Sequence, residues 1–217
     1  MTNMPGETHE TIKEIKKSLR LAMNGVVSTL QRRQGLDYKI NFGVEIPRLK
    51  GIAAQYPKER KLAETLWLEN IRECKLLAIM LMPQEEYSDI AEKWVTEVKY
   101  PEIAEHLAMS ILCRLPDAAE RALDWCGRDG MTGQCGFLSL SNIMRNGGSI
   151  DIRHEKQLVE RFVELVENET GSLLAHRATG TIYRYLDNTD GAAARILAEH
   201  DNLPGEFVEM LQEYTQE

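Results

Sequence analysis

Apolar residues recur at spacings of three and four along almost the whole chain, and runs that alternate apolar with polar positions are missing. That period puts one apolar stripe on each successive helix and leaves no pleated face to bury, so the chain is expected to be all-α. Turn-forming clusters cut the pattern at QGLDY, YP, MP, YP, LP, GRDG, NGGS, ETG, NTDG and NLPG. Helices are therefore expected at 8–34, 45–55, 58–69, 71–82, 84–97, 101–114, 117–127, 131–145, 152–168, 171–186, 190–200 and 204–215. Short connections between helices of this length favour stacked antiparallel pairs.

An internal echo supports stacking. LAIMLMP (77–83) followed by AEKW (91–94), and SILCRLP (110–116) followed by ALDW (122–125), repeat one layout at an offset of about 31–33 residues. In a solenoid of helical hairpins each pair buries its face against its neighbours, and such an echo is its expected trace. Trp67, Trp94 and Trp125 then read as packing residues between layers.

With 217 residues and 43% hydrophobic content the chain can bury a core as one domain over residues 1–217. No window approaches the roughly 20 uninterrupted apolar residues of a membrane span. The start MTNMPGETHE lacks the layout of a secretory leader, so a cytoplasmic location without membrane attachment is expected. Cys74, Cys113, Cys126 and Cys135 match no zinc or redox spacing and read as reduced core thiols. The five histidines form no metal spacing, and no nucleophile elbow, P-loop or dinucleotide fingerprint is present, so neither metal nor cofactor is expected.

The net charge of −8 argues against a simple nucleic-acid binder, because duplex affinity comes largely from Lys and Arg on phosphates. Its distribution is lopsided. Residues 1–61 hold 12 of the 26 Lys and Arg and 6 of the 34 Asp and Glu, giving +6 and leaving −14 for residues 62–217. The basic runs KEIKKSLR (13–20), QRR (31–33), PRLK (47–50) and PKERK (57–61) read either as solvated helix faces or as a grip on phosphates.

NFGVEIPRLKGIAAQY (41–56) and LAETLWLENIRECKLLAIML (62–81) narrow the choice. They resemble the AlkD-like DNA alkylation repair proteins, through Gly43, Val44, Pro47 and Leu49 and then Leu66, Trp67, Glu73, Lys75, Leu77 and Ala78. LPDAAERALDWC (115–126) and HRATGTIYRYL (176–186) continue the resemblance in order, so it covers most of the chain from about residue 40. It implies a right-handed α-α superhelix of HEAT-like hairpin repeats with a concave face suited to double-stranded DNA. These motifs are largely packing motifs and carry fold more securely than function.

The activity implied is DNA-alkylpurine N-glycosylase: hydrolysis of the N-glycosidic bond of cationic, alkylated purines. A carboxylate stabilises the oxocarbenium character of the sugar and orients water, while aromatic rings hold the lesion. In the family this carboxylate ends a Trp-Asp-x-x-Asp segment, and the resemblance aligns it with Pro101-Glu102-Ile103-Ala104-Glu105. Glu105 inherits the catalytic position, Pro101 stands in place of the Trp, and Tyr100 is the candidate aromatic surface beside it. A second family Trp aligns with Thr181, a family Arg aligns near Gln134, and Arg184 follows where the family keeps a basic residue.

Read locally, Pro101 and Glu102 suit a helix start without any catalytic role, and Glu105 shares a face with Glu102 and Met109, opposite Ile103, Leu107 and Ala108. Arg177 and Arg184 are two turns apart on one helical face, a spacing that can follow a phosphate backbone or pair with acidic neighbours. Three functions follow: a glycosylase that uses Glu105, a DNA-binding module without hydrolysis, and a protein-interaction scaffold.

Overall fold

The computed structural model describes residues 5–216, in which thirteen α-helices and no β-strand are found. The all-α expectation holds. The chain divides into two compact units, one up to Ile90 and one from Ala91 onward, and α6 (Tyr87–Glu97) contains the boundary.

The first unit contains α1 (Pro5–Leu21), α2 (Gly25–Arg33), α3 (Ile46–Ala53), α4 (Arg60–Leu68) and α5 (Arg72–Leu81). Its core is built from Ile15 and Leu19 of α1, Leu49 of α3, Leu66 and Trp67 of α4, and Leu76 and Leu77 of α5. The single helix expected over 8–34 is corrected to two, broken at Ala22–Asn24. The break has a local cause: the Asn24 side chain caps α2 by accepting from Val27 N at 3.2 Å, and its own backbone N–H donates to Phe42 O at 2.9 Å. α2 buries none of its residues, so polar contacts hold it; Ser28 Oγ donates to Asn41 O at 2.7 Å.

Loop 40–45, where the family resemblance begins, is clamped from its other side by Glu73. This fully buried carboxylate accepts from Phe42 N at 3.1 Å and Val44 N at 3.2 Å. Arg72, also buried, donates to Val44 O at 3.0 Å and to Glu73 at 3.1 Å. Gly43 sits in the left-handed region at φ +70°, and a Cβ there would lie 2.3 Å from Asn24 O and 2.6 Å from Ser28 N, so only glycine fits. Lys75 completes the motif by donating to Trp67 O while its ammonium lies 4.7 Å from the Trp67 ring centroid.

The second unit continues with α7 (Pro101–Ser110), α8 (Ala118–Cys126), α9 (Gly130–Arg145), α10 (Glu155–Asn168), α11 (Leu173–Asn188), α12 (Ala192–Glu199) and α13 (Gly205–Tyr214). α9 pairs with α8 and packs against both α7 and α11; α10 pairs with α11, and α12 with α13. The α8 and α9 backbones approach closely at Gly136, where a Cβ would meet Cys126 N at 2.5 Å. Trp94 and Trp125 are buried as packing residues, and Trp125 Nε1 donates to Glu92 at 2.8 Å. Arg128 donates to the same carboxylate at 2.6 Å; together Arg128 and then Trp125 hold the Glu92 carboxyl below the usual carboxylate value.

All four cysteines are free thiols, and Cys113 alone is partly exposed. Burial pushes the Cys74 and Cys135 thiols up to about 12, so both stay protonated and inert.

Candidate functional site

α7 starts for local reasons: Tyr100 is its extended N-cap, Pro101 occupies the first turn, and Glu102 stands in the same turn, where the helix dipole favours a carboxylate. Ile103, Ala104, Leu107 and Ala108 turn inward, which leaves Glu105 and Met109 on the outer face. Glu105 is not a buried carboxylate. Its side chain is 48% exposed and forms an ion pair with Arg177, which is 25% exposed.

Glu105 lies on α7 and Arg177 on α11, so the pair bridges the two helices that flank α9. Beside it is a cleft of about 250 Å³ between α9 and α11. Arg177 and Arg184 both line it, as a spacing of two turns on α11 requires, and Arg145 joins them from the last turn of α9. Arg145 and Arg184 have no carboxylate within ion-pair distance among the described residues, whereas Arg177 is committed to Glu105. Tyr100 is half-buried at the start of α7 and does not line this cleft.

The positions aligned with the family's second Trp and its Arg are interior. The buried Thr181 hydroxyl lies 3.0 Å from Phe137 O, 2.9 Å from Arg177 O and 2.9 Å from Ser141 Oγ, tying α11 to α9. Gln134 is buried in α9, and its Oε1 has no hydrogen-bond partner. Neither offers a ring or a cation to a ligand. Sequence reasoning missed Arg145 and His176, which also lines the cleft. A basic residue in the last turn of a helix reads as a dipole partner, and nothing in NIMRNGG marks Arg145 as more than that.

Residues 15–180 match the sequence profile of a family described as DNA alkylation repair enzyme, about three-quarters of the chain. The chain belongs to that family. The match begins within α1, earlier than the expected start near residue 40, and takes in Glu105 and Arg177 but stops before Arg184. The chain matches no curated protein and no solved structure. In this chain the buried Glu73 clamp accounts for the packing motif, whereas Glu105 and its partner Arg177 are both partly exposed. Among the described residues no cluster of His, Cys, Asp or Glu is arranged to hold a metal ion, and no helix is long and apolar enough to cross a membrane.

Proposed function

We propose that this member of the DNA alkylation repair family binds double-stranded DNA and hydrolyses the N-glycosidic bond of cationic, alkylated purines, with Glu105 as the catalytic carboxylate. On this reading the chain is one cytoplasmic domain of HEAT-like hairpins forming a right-handed superhelix. Arg177 and Arg184 follow the backbone, and Tyr100 offers a surface to the lesion. One observation supports it above the others: the carboxylate at the family's catalytic position and the arginines expected on phosphates lie together, through the contact of Glu105 with Arg177.

The chemistry asks little of the protein. As the C1′–N bond breaks, its electrons leave with the base and neutralise its positive charge. The water oxygen then bonds to C1′, and a carboxylate nearby both offsets the developing cation and accepts the water's proton. Glu105 serves in this way only when Arg177 no longer cancels its charge. A backbone phosphate is the natural competitor for Arg177, because guanidinium binds phosphate and carboxylate with the same paired geometry.

One observation favours a second reading, a DNA-binding module without hydrolysis: Glu105 is half exposed and already neutralised, and no ring stands at Thr181 or Pro101. Duplex DNA carrying 7-methylguanine separates the two. Base release that falls by about a hundredfold or more in Glu105→Gln supports the glycosylase. Release equal in both proteins removes Glu105 from the chemistry, and no release from either leaves the binding module.

A further inference from the structure

The charge in the cleft between α9 and α11 exceeds what one backbone phosphodiester neutralises. Arg145 and Arg184 line it with no carboxylate partner among the described residues, so two full positive charges remain after Glu105 is set against Arg177. The Nε atoms of Arg177 and Arg184 are both buried and have no hydrogen-bond acceptor in the protein. Buried donors without acceptors are costly, and these two belong to arginines two turns apart that line one cleft, so the cleft is short of the acceptors a ligand would bring. Gly180 is an independent sign. It lies mid-helix in α11 and lines the cleft, yet a Cβ there would meet nothing within 4 Å. A glycine in a helix interior weakens the helix, and here no packing contact accounts for it. Open space above a bare backbone is what close approach of a ligand uses.

We infer that the cleft is a binding site for a phosphomonoester dianion, held by Arg145 and Arg184 above the Gly180 backbone. A phosphomonoester carries a charge of about −1.5 to −2 at neutral pH and presents three free oxygens, which matches two uncompensated guanidiniums. A phosphodiester carries half that charge. The ligand is either the terminal phosphate of a nucleic-acid strand, as at a nick, or a free mononucleotide. Only the choice of source rests on the DNA-binding reading above; the ligand chemistry does not.

The test uses the full chain and two ligand pairs. The first is a dumbbell duplex with one nick bearing either a 5′-phosphate or a 5′-hydroxyl, with the unnicked dumbbell as control, followed by fluorescence anisotropy. The second is deoxyadenosine monophosphate against deoxyadenosine, followed by calorimetry. The 5′-phosphate nick is expected to bind about tenfold tighter than the 5′-hydroxyl nick, the scale of a charge-assisted contact. That preference should vanish in Arg184→Gln and Arg145→Gln. Gly180→Leu should raise Tm, because leucine is the better helix former, and yet abolish the preference; a purely structural glycine would not separate the two readouts. If the nicks bind equally but the mononucleotide binds saturably and loses affinity in Arg184→Gln, the site stands with a free mononucleotide as its ligand. If neither pair is distinguished by the wild-type protein, the inference is overturned even where intact duplex still binds. Mononucleotide binding without any duplex binding would keep the inference and remove the DNA reading.

Discussion

Glu73 and Glu105 are both carboxylates of the family motifs, and each meets an arginine, yet they stand at opposite limits. Glu73 is fully buried, with two backbone N–H groups and Arg72 occupying its oxygens. Glu105 is 48% exposed, and its ion pair with Arg177 leaves both partners at the solvent edge. A carboxylate saturated by backbone donors has no capacity left for a ligand and does one thing, which is to fix loop 40–45. One held by a single, accessible arginine can exchange that partner at little cost, since exposed ion pairs contribute only about 0.2–1 kcal/mol. Satisfaction of its oxygens, rather than its place in a motif, tells which acid is available for chemistry.

The largest effect expected from this contrast is on Glu73. Glu73→Gln removes the buried charge that faces Arg72 and turns an amide N–H₂ toward other donors, so urea unfolding should show a loss of about 3 kcal/mol or more. A loss below about 1 kcal/mol would mean that the clamp is not structural. Gly43→Ala tests the same clamp from the α2 side. The added methyl meets Asn24 O and Ser28 N at a positive φ, for an expected loss of about 2 kcal/mol.

Glu92 is as exposed as Glu105 but lies between the two carboxylates in its partners, being bound by two donors. Glu92→Gln should cost about 1 kcal/mol at neutral pH, mostly through Trp125 Nε1 losing its charged acceptor. Because the folded carboxyl titrates below the usual carboxylate range, the stabilisation is complete above that range and is lost as pH falls through the lower folded value. The wild-type and variant stability curves should therefore converge in acid. Parallel curves across that range would show that the charge of Glu92 contributes nothing.

Much of the fold was legible because Pro and Gly clusters mark nearly every helix end, and the apolar positions of α7 fall inward as their spacing requires. The first helix was misjudged because LAMNGVV keeps a helical pattern of apolar residues, while the break comes from one side chain that caps α2 and a loop eighteen residues on. The site was legible only in parts. Arg177 and Arg184 share a face by helix geometry alone, but Glu105 meets Arg177 from 72 residues away, and no local pattern encodes that contact. Thr181 reads as a lost aromatic in the sequence, whereas its buried hydroxyl ties α11 to Phe137 O and Ser141 Oγ of α9.

The most direct test of this account is the affinity of Glu105→Gln for undamaged duplex DNA as a function of salt. If Arg177 is shared between Glu105 and phosphate, removing the carboxylate charge leaves the fold within about 0.5 kcal/mol of wild type and tightens binding about two- to fivefold. The dependence on salt should steepen by about one phosphate contact. Unchanged or weaker binding with the same salt slope would contradict it, because Arg177 would then be a partner of Glu105 alone.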